Sequence, residues 1–349
     1  MKPLNQTLDL KFYERQKKIG KGPFNKVYEA ILKCTGMFYA AKTPTNKYMI
    51  RSDLIDFCQR LKINSKLDHP SIIKFIGYSP NNFKDKHIPV FITEFASNGK
   101  LSDFFDKKKE ILPKWNDTKK LINIYGIAAG MKYLHSHDII HCELKISEIF
   151  LDDYLFPKIA DFGLSKKIHS NLESMTIQSM KGMKGTPLYF APEIFTSKVY
   201  TKSSDVYAFG LILYVIMTNT IPFQNLDFFQ VWQKVTNGHR PLFEKPIQDS
   251  YRNLIERCWS QDPNERPTFD EIVNELKTNK EFITEKVKEE DYRCYIKFIE
   301  EYQSSFKNQK IINIEDYLPS NTFRKIDIRK YAEQPTKTVF STVLSIFGL

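Results

Sequence analysis

Apolar residues fall into two rhythms along this chain, and the change comes near residue 95. Before it, Val27–Ile31 and Met37–Ala41 are short runs rich in aromatic and β-branched residues. Thr35-Gly36 supplies a turn between them, so a hairpin is predicted. Val90–Thr93 reads as another buried strand. Between these runs Leu54, Ile55, Phe57, Cys58, Leu61 and Ile63 recur at helical spacing, which predicts one helix over Ser52–Lys66 with Asp53 near its start. After the change, helices dominate. An amphipathic helix is predicted from Leu121 to Leu134, and a helix apolar nearly all round from Ser204 to Met217. Tyr251–Trp259 and Phe269–Leu276 add two more.

A small strand-rich part followed by a larger helical part implies two lobes, with a ligand cleft expected between them. The Ser-Asn-Gly run at Ser97–Gly99 breaks the pattern and places a hinge over Glu94–Gly99. Beyond residue 277 the character changes again. Glu285–Phe306 reads as a charged, aromatic helix, either packed on the larger lobe or free for a partner, and its mixed apolar spacing favours packing. Past it, Pro319 and Pro335 suggest an irregular extension that ends in the apolar run Val339–Leu349.

Composition narrows the function classes. Of 349 residues, 42% are hydrophobic and 27% charged, which suits a soluble protein with a real core. The net charge is +11, and residues 281–349 carry 11 of each sign, so the whole excess lies before them. It is scattered over short clusters such as Lys107–Lys109 and Lys166–Lys167, without an arginine-rich or aromatic-interleaved stripe, so nucleic acid is not an expected partner. Cys34, Cys58, Cys142, Cys258 and Cys294 form no CxxC pair and suit a reduced protein. The opening residues lack a signal-peptide core, and no apolar run reaches the roughly 18 residues of a membrane span. A cytoplasmic location is expected. Nothing in the pattern predicts an oligomeric state.

Candidate chemistry begins at Gly20-Lys21-Gly22, between two strand-like stretches. Glycines there let the backbone turn tightly and bring amides close to phosphates, although two glycines in a hairpin are more often only a turn. The order of the downstream elements changes the odds. Lys42 ends the next strand, His141 opens a loop running to Glu148, Asp161-Phe162-Gly163 comes after it, and Ala191-Pro192-Glu193 closes the segment beyond.

In that order these elements resemble the eukaryotic protein kinases, whose signature is a glycine-rich loop, a strand lysine, a His-Arg-Asp loop, Asp-Phe-Gly and Ala-Pro-Glu. The resemblance covers residues 11–277. Lys145 and Gly185-Thr186 are similar to the serine/threonine type, and the general wording to the tyrosine-kinase-like group. The implied fold is α+β and two-lobed: an antiparallel-sheet N-lobe with one helix over 11–95, and a mainly helical C-lobe over 100–277. Residues 1–10 and 278–349 would be extensions.

The resemblance also implies roles. ATP and Mg2+, or Mn2+ in its place, would be the cofactors, and a protein substrate or partner the other ligand. Gly20 and Gly22 would cover the phosphates and Lys42 grip them, while Asp161 holds the metal. Lys145 would neutralise the γ-phosphate. Val27 and Ala40 would sandwich adenine, Glu94 and Ala96 would offer hinge backbone bonds, and Thr93 would be the gatekeeper. Asp205 and Arg266 would brace the larger lobe, Arg266 by pairing with Glu193.

Several working positions depart from the family pattern. Glu143 stands where the catalytic aspartate is expected; it is still a carboxylate base, but one displaced by roughly 1 Å, a shift that can cost about a hundredfold in rate. Glu148 replaces the asparagine that holds a second metal ion, and could ligate it or pair with Lys145 instead. Arg60 occupies the place of the helix glutamate that orients the strand lysine. Beside Lys42 it would repel by about 4 kcal/mol at 4 Å and an effective dielectric of 20, so it is expected in solvent, unless the helix shifts by a turn to present Asp56. Asn25 replaces a third glycine and tolerates unusual φ. Cys142 replaces the arginine that receives an activation-loop phosphate, although Ser174, Thr176 and Ser179 remain possible phosphosites.

Two candidate functions from different classes emerge. One is a serine/threonine kinase with Glu143 as base and Glu148 as metal ligand. The other is a pseudokinase that keeps the fold and signals through binding. Only the first predicts that Glu143→Ala abolishes transfer while leaving nucleotide binding intact.

Overall fold

A computed structural model describes residues 7–22, 25–45, 51–105, 115–162, 165–167, 175–176 and 186–308. Gly163, Gly185, Ser174, Ser179, Lys107–Lys109 and the run Val339–Leu349 lie outside the described residues, as does the side chain of Asp56. The described residues divide into a sheet unit, up to Asp68 and over Ile73–Ala96, and a helical unit, over His69–Ile72 and from Ser97 to Asn308.

The sheet unit holds β1 (Tyr13–Lys21), β2 (Asn25–Leu32), β3 (Met37–Pro44), the helix α1 (Arg51–Asn64), β4 (Phe75–Ser79) and β5 (Val90–Glu94). The strands are antiparallel in the order β1-β2-β3-β5-β4. Alternation along β3 sends Tyr39 and Ala41 into a core shared with Tyr13, Ala30, Leu32, Val90 and Ile92. The same alternation sends Ala40 and Lys42 to the other face. Register then fixes their neighbours: Val27 lies opposite Lys42, Thr93 opposite Ala40, and Phe91 opposite Lys42. On that face α1 packs through Phe57, whose ring meets Phe91 at 6.3 Å and Tyr78 at 6.2 Å, both edge-on.

The helical unit is built on α2 (Asp117–Ser136) and α4 (Lys202–Thr218). Around them stand α3 (Pro192–Thr196), α5 (Phe228–Thr236), α6 (Asp249–Cys258), α7 (Phe269–Thr278) and α8 (Glu289–Asn308). Thr201 caps α4 reciprocally with Ser204, and Thr268 caps α7 with Glu271. Short two-stranded pairs join β6 (Ile139–Ile140) to β9 (Lys166–Lys167), β7 (Ile149–Leu151) to β8 (Pro157–Ile159), and β10 (Met175–Thr176) to β11 (Val199–Tyr200).

The expected amphipathic character of α2 needs correction. From Leu121 to Met131 every residue is buried, because α7, α8, α4 and β8 pack around it. Its one polar member there, Asn123, is tied to the carbonyls of Lys119 and Leu155, both at 2.8 Å.

Candidate active site

In the sheet unit, the residues singled out for nucleotide binding share one face or its margin. Gly20 pairs with Val27, and a Cβ on Gly20 would touch the Val27 side chain at 3.6 Å, so glycine keeps this part of the face low. Gly22 donates its N–H to the carbonyl of Asn25 at 2.8 Å, which closes the β1–β2 turn. Ala40, Lys42 and Thr93 lie further along the same face. Thr93 donates its hydroxyl to the Glu94 carbonyl at 3.1 Å. The Glu94 N–H is taken by the carbonyl of Lys74 at 2.9 Å, and its carboxylate accepts the Lys74 N–H at 2.7 Å. Ala96 stands two residues on, at the end of the sheet unit.

Arg60 does not swing into solvent as expected. It is half-buried on α1, one turn from Phe57, and its Nε is enclosed without a hydrogen-bond partner among the described residues. The packing of Phe57 and Leu61 against the sheet draws this face of the helix inward and takes the arginine stem with it.

In the helical unit the loop from His141 to Glu148 is held from beneath by Asp205. One carboxylate oxygen accepts the N–H of His141 at 2.8 Å and the other that of Cys142 at 3.0 Å. The Nε2 of His135 lies 2.9 Å from the same carboxylate. Asp205 is only 2% exposed, so these bonds form away from water. Cys142 takes a left-handed backbone with φ of 66°, and the carboxylate beneath it holds that turn. His141 is fully buried, with Nδ1 accepting from the N–H of Glu143 at 3.3 Å and Nε2 3.2 Å from the Ala160 carbonyl. Burial pushes its pKa down, so it works as a neutral strut, and the Phe162 ring rests on it at 5.5 Å.

Above this base the charged side chains converge. Lys145 donates to Oε1 of Glu143 at 2.6 Å and to Oγ1 of Thr186 at 2.9 Å. Oε1 of Glu148 lies 3.6 Å from the same ammonium, so the alternative pairing weighed from the sequence is present. The β7–β8 pair joins the remaining acid to the group: the Ala160 N–H donates to the Glu148 carbonyl at 2.8 Å, so Asp161 comes directly beside Glu148. Asp161 is half-buried with φ of 58°. A depression lined by Glu143, Lys145, Thr186, Tyr189 and Tyr200 opens next to these groups.

Arg266 pairs with Glu193 through two parallel bonds of 2.7 and 2.8 Å, with the arginine side chain wholly enclosed. Sequence reasoning found this pair. It did not find Thr186 as a direct partner of Lys145, nor Asn123 as a strap on the loop at Leu155. The first has a signal in the sequence, since Thr186 stands beside the Gly185 already singled out. The second has none.

A five-stranded antiparallel sheet with one helix, and a helical unit carrying this loop, define the two-lobed kinase fold. Residues 13–276 match the family model of the protein tyrosine and serine/threonine kinases, and the chain belongs to that family. A probable serine/threonine-protein kinase of Dictyostelium discoideum is 35% identical over 267 residues, which is 74% of this chain and 27% of the relative. The serine/threonine/tyrosine-protein kinase HT1 of Arabidopsis thaliana is 33% identical over 77% of this chain and 66% of its own length. The Arabidopsis serine/threonine-protein kinase VIK is 33% identical over 75% and 59%. The matches thus span from about a quarter to about two thirds of these relatives. The family uses ATP and a divalent metal. Among the described residues no helix is long and apolar enough to cross a membrane.

Proposed function

We propose that this chain transfers the γ-phosphate of ATP to serine or threonine hydroxyls of a protein substrate, with Glu143 as the base. The observation that carries this reading is the bridge from Glu143 through Lys145 to Thr186, which holds a carboxylate and an ammonium side by side at the mouth of the loop. Phosphoryl transfer asks mainly for positioning and charge stabilisation. Glu143 would orient the attacking hydroxyl and accept its proton. Lys145 would lie against the transferring phosphate, steered by Thr186.

In the sheet unit, Lys42 would grip phosphates beneath the backbone of Gly20 and Gly22. Val27 and Ala40 would hold adenine, the Glu94 carbonyl and Ala96 backbone would bond its edge, and Thr93 would limit the depth of its pocket. Asp161 and Glu148 fit Mg2+, or Mn2+ in its place, because both offer hard carboxylate oxygens from adjoining ends of one strand pair. Bound metal would offset the phosphate charge. Magnesium takes only one or two protein carboxylates and fills its shell with water and phosphate, so this pair suffices. The five cysteines are all free thiols, which suits the cytoplasm.

A second reading, a binding module without transfer, draws on Arg60 in the place of the helix glutamate. The two separate on one variant. With Glu143→Ala, the kinase reading expects transfer to fall at least about a hundredfold while binding of a non-hydrolysable ATP analogue holds. Transfer unchanged by that variant would remove Glu143 from the reaction.

A further inference from the structure

The family match ends at residue 276 and α8 begins at Glu289, so this helix lies wholly outside it. Yet α8 is built into the helical unit. Tyr292, Tyr295, Ile296 and Ile299 recur at helical spacing, and all four are buried. The Tyr125 ring of α2 meets those of Tyr292 and Tyr295 edge-on, at 5.9 and 6.3 Å. The Tyr292 hydroxyl donates to the Leu276 carbonyl at 2.8 Å and Arg293 to the Lys277 carbonyl at 2.6 Å, so α8 satisfies the exposed end of α7. On α2 itself, a Cβ on Gly126 would stand 2.5 Å from the Tyr295 hydroxyl and 2.6 Å from Pro157. The helix is notched there, and the notch admits that hydroxyl.

The hydroxyl reaches Ser71. The Ser71 oxygen lies 3.2 Å from that of Tyr295, and both residues are buried. Ser71 belongs to His69–Ile72, a short stretch that groups with the helical unit although the chain on either side belongs to the sheet unit. The stretch is fastened at its other groups too. The Ser71 carbonyl accepts the Ile159 N–H at 2.8 Å, its N–H donates to Nδ1 of His69 at 3.0 Å, and Ile72 bridges Ile159 in parallel. Since α1 ends at Asn64 and β4 begins at Phe75, this is where the chain returns from α1 to the sheet.

We propose that α8 is a clasp on that return, with Tyr295 holding Ser71 and thereby restraining the C-terminal end of α1. Tyr295 is then a positioning residue for the transfer reaction. That consequence rests on the kinase reading, whereas the clasp itself does not. Two hydroxyls enclosed together must bond each other, because removing either leaves its partner unpaired away from water. Burial holds the Tyr295 phenol far above its ordinary pKa, so it stays protonated at any working pH. In a chain whose α1 carries Arg60 in place of the orienting glutamate, restraint from the far end of that helix acquires added weight.

The test uses the full chain with Tyr295→Phe, Ser71→Ala and the double variant, read by hydrogen exchange and by kinetics. Each single variant is expected to speed amide exchange over residues 60–75 by about three- to tenfold, the net worth of one hydrogen bond, while α4 and α6 keep their protection. The double variant should exchange no faster than either single one, since both remove the same contact. The KM for ATP should rise with kcat little changed. Faster exchange spread evenly over the helical unit would make Tyr295 a packing residue only and overturn the clasp, as would unchanged exchange over 60–75 or additive effects. Exchange decides this even in a chain that transfers no phosphate.

Discussion

The Lys145 ammonium stands 2.6 Å from Oε1 of Glu143 and 2.9 Å from Oγ1 of Thr186, so one cation joins the His141–Glu148 loop to the segment before Ala-Pro-Glu. On the proposed reaction, Lys145→Ala removes a charge aimed at the transferring phosphate. Steady-state kinetics should show kcat falling by about a hundred- to a thousandfold, with ATP binding nearly intact. Thr186→Val leaves the charge and removes its guide, and should cost less. An equal loss in both variants would mean that Thr186 acts on more than Lys145.

Asp205 is expected to be a stability residue, as the brace beneath the loop. Its carboxylate takes two buried backbone N–H groups, and Asp205→Ala leaves both unpaired. At about 1–3 kcal/mol for each abandoned donor, urea unfolding should register a loss of roughly 2–6 kcal/mol. Asp205→Asn keeps one acceptor oxygen and should lose about half as much. A loss under about 1 kcal/mol in the alanine variant would contradict this role for the carboxylate beneath the loop.

The Arg266–Glu193 pair should behave as a buried ion pair does when broken. Glu193→Ala strands an enclosed guanidinium and is expected to cost about 3–5 kcal/mol in unfolding experiments. Glu193→Gln keeps an acceptor and should cost less.

His69 sets an acid limit on stability. It is buried, its Nδ1 accepts the Ser71 N–H, and its Nε2 has no partner among the described residues. Burial first, and the Lys158 charge second, push its pKa down to about 3. The unfolded chain protonates the same imidazole near 6.5. Between those values the unfolded state binds the extra proton, so this contribution is complete above pH 6.5 and lost as pH falls toward 3. Urea titrations of His69→Asn should show a shallower decline over that window, by about one proton. An unchanged slope would mean that His69 is not the group that titrates.

Much of the fold was readable from local pattern. The turn at Thr35-Gly36, the helical spacing around Phe57, and the apolar stretch of α4 all carry their structure in near neighbours. The charge cluster of the loop was readable too, because Glu143, Lys145 and Glu148 lie within six residues. The misreadings share a cause. The sequence of α2 does not show that Asn123 finds its bonds inside, so the helix passes for amphipathic. Arg60 carries its charge on a long stem, and only the packing of Phe57 and Leu61 decides how far that stem is covered. Tyr295 and Ser71 stand 224 residues apart, and nothing near either one announces the other.

The enzyme reading is tested most directly by γ-phosphate transfer from ATP to a generic protein substrate, with Mg2+ or Mn2+, run beside the Asp161→Ala variant. Measurable transfer by the natural chain and its loss in the variant are the expected results. A folded natural chain that transfers no more phosphate than Asp161→Ala would contradict the enzyme reading and leave a binding module.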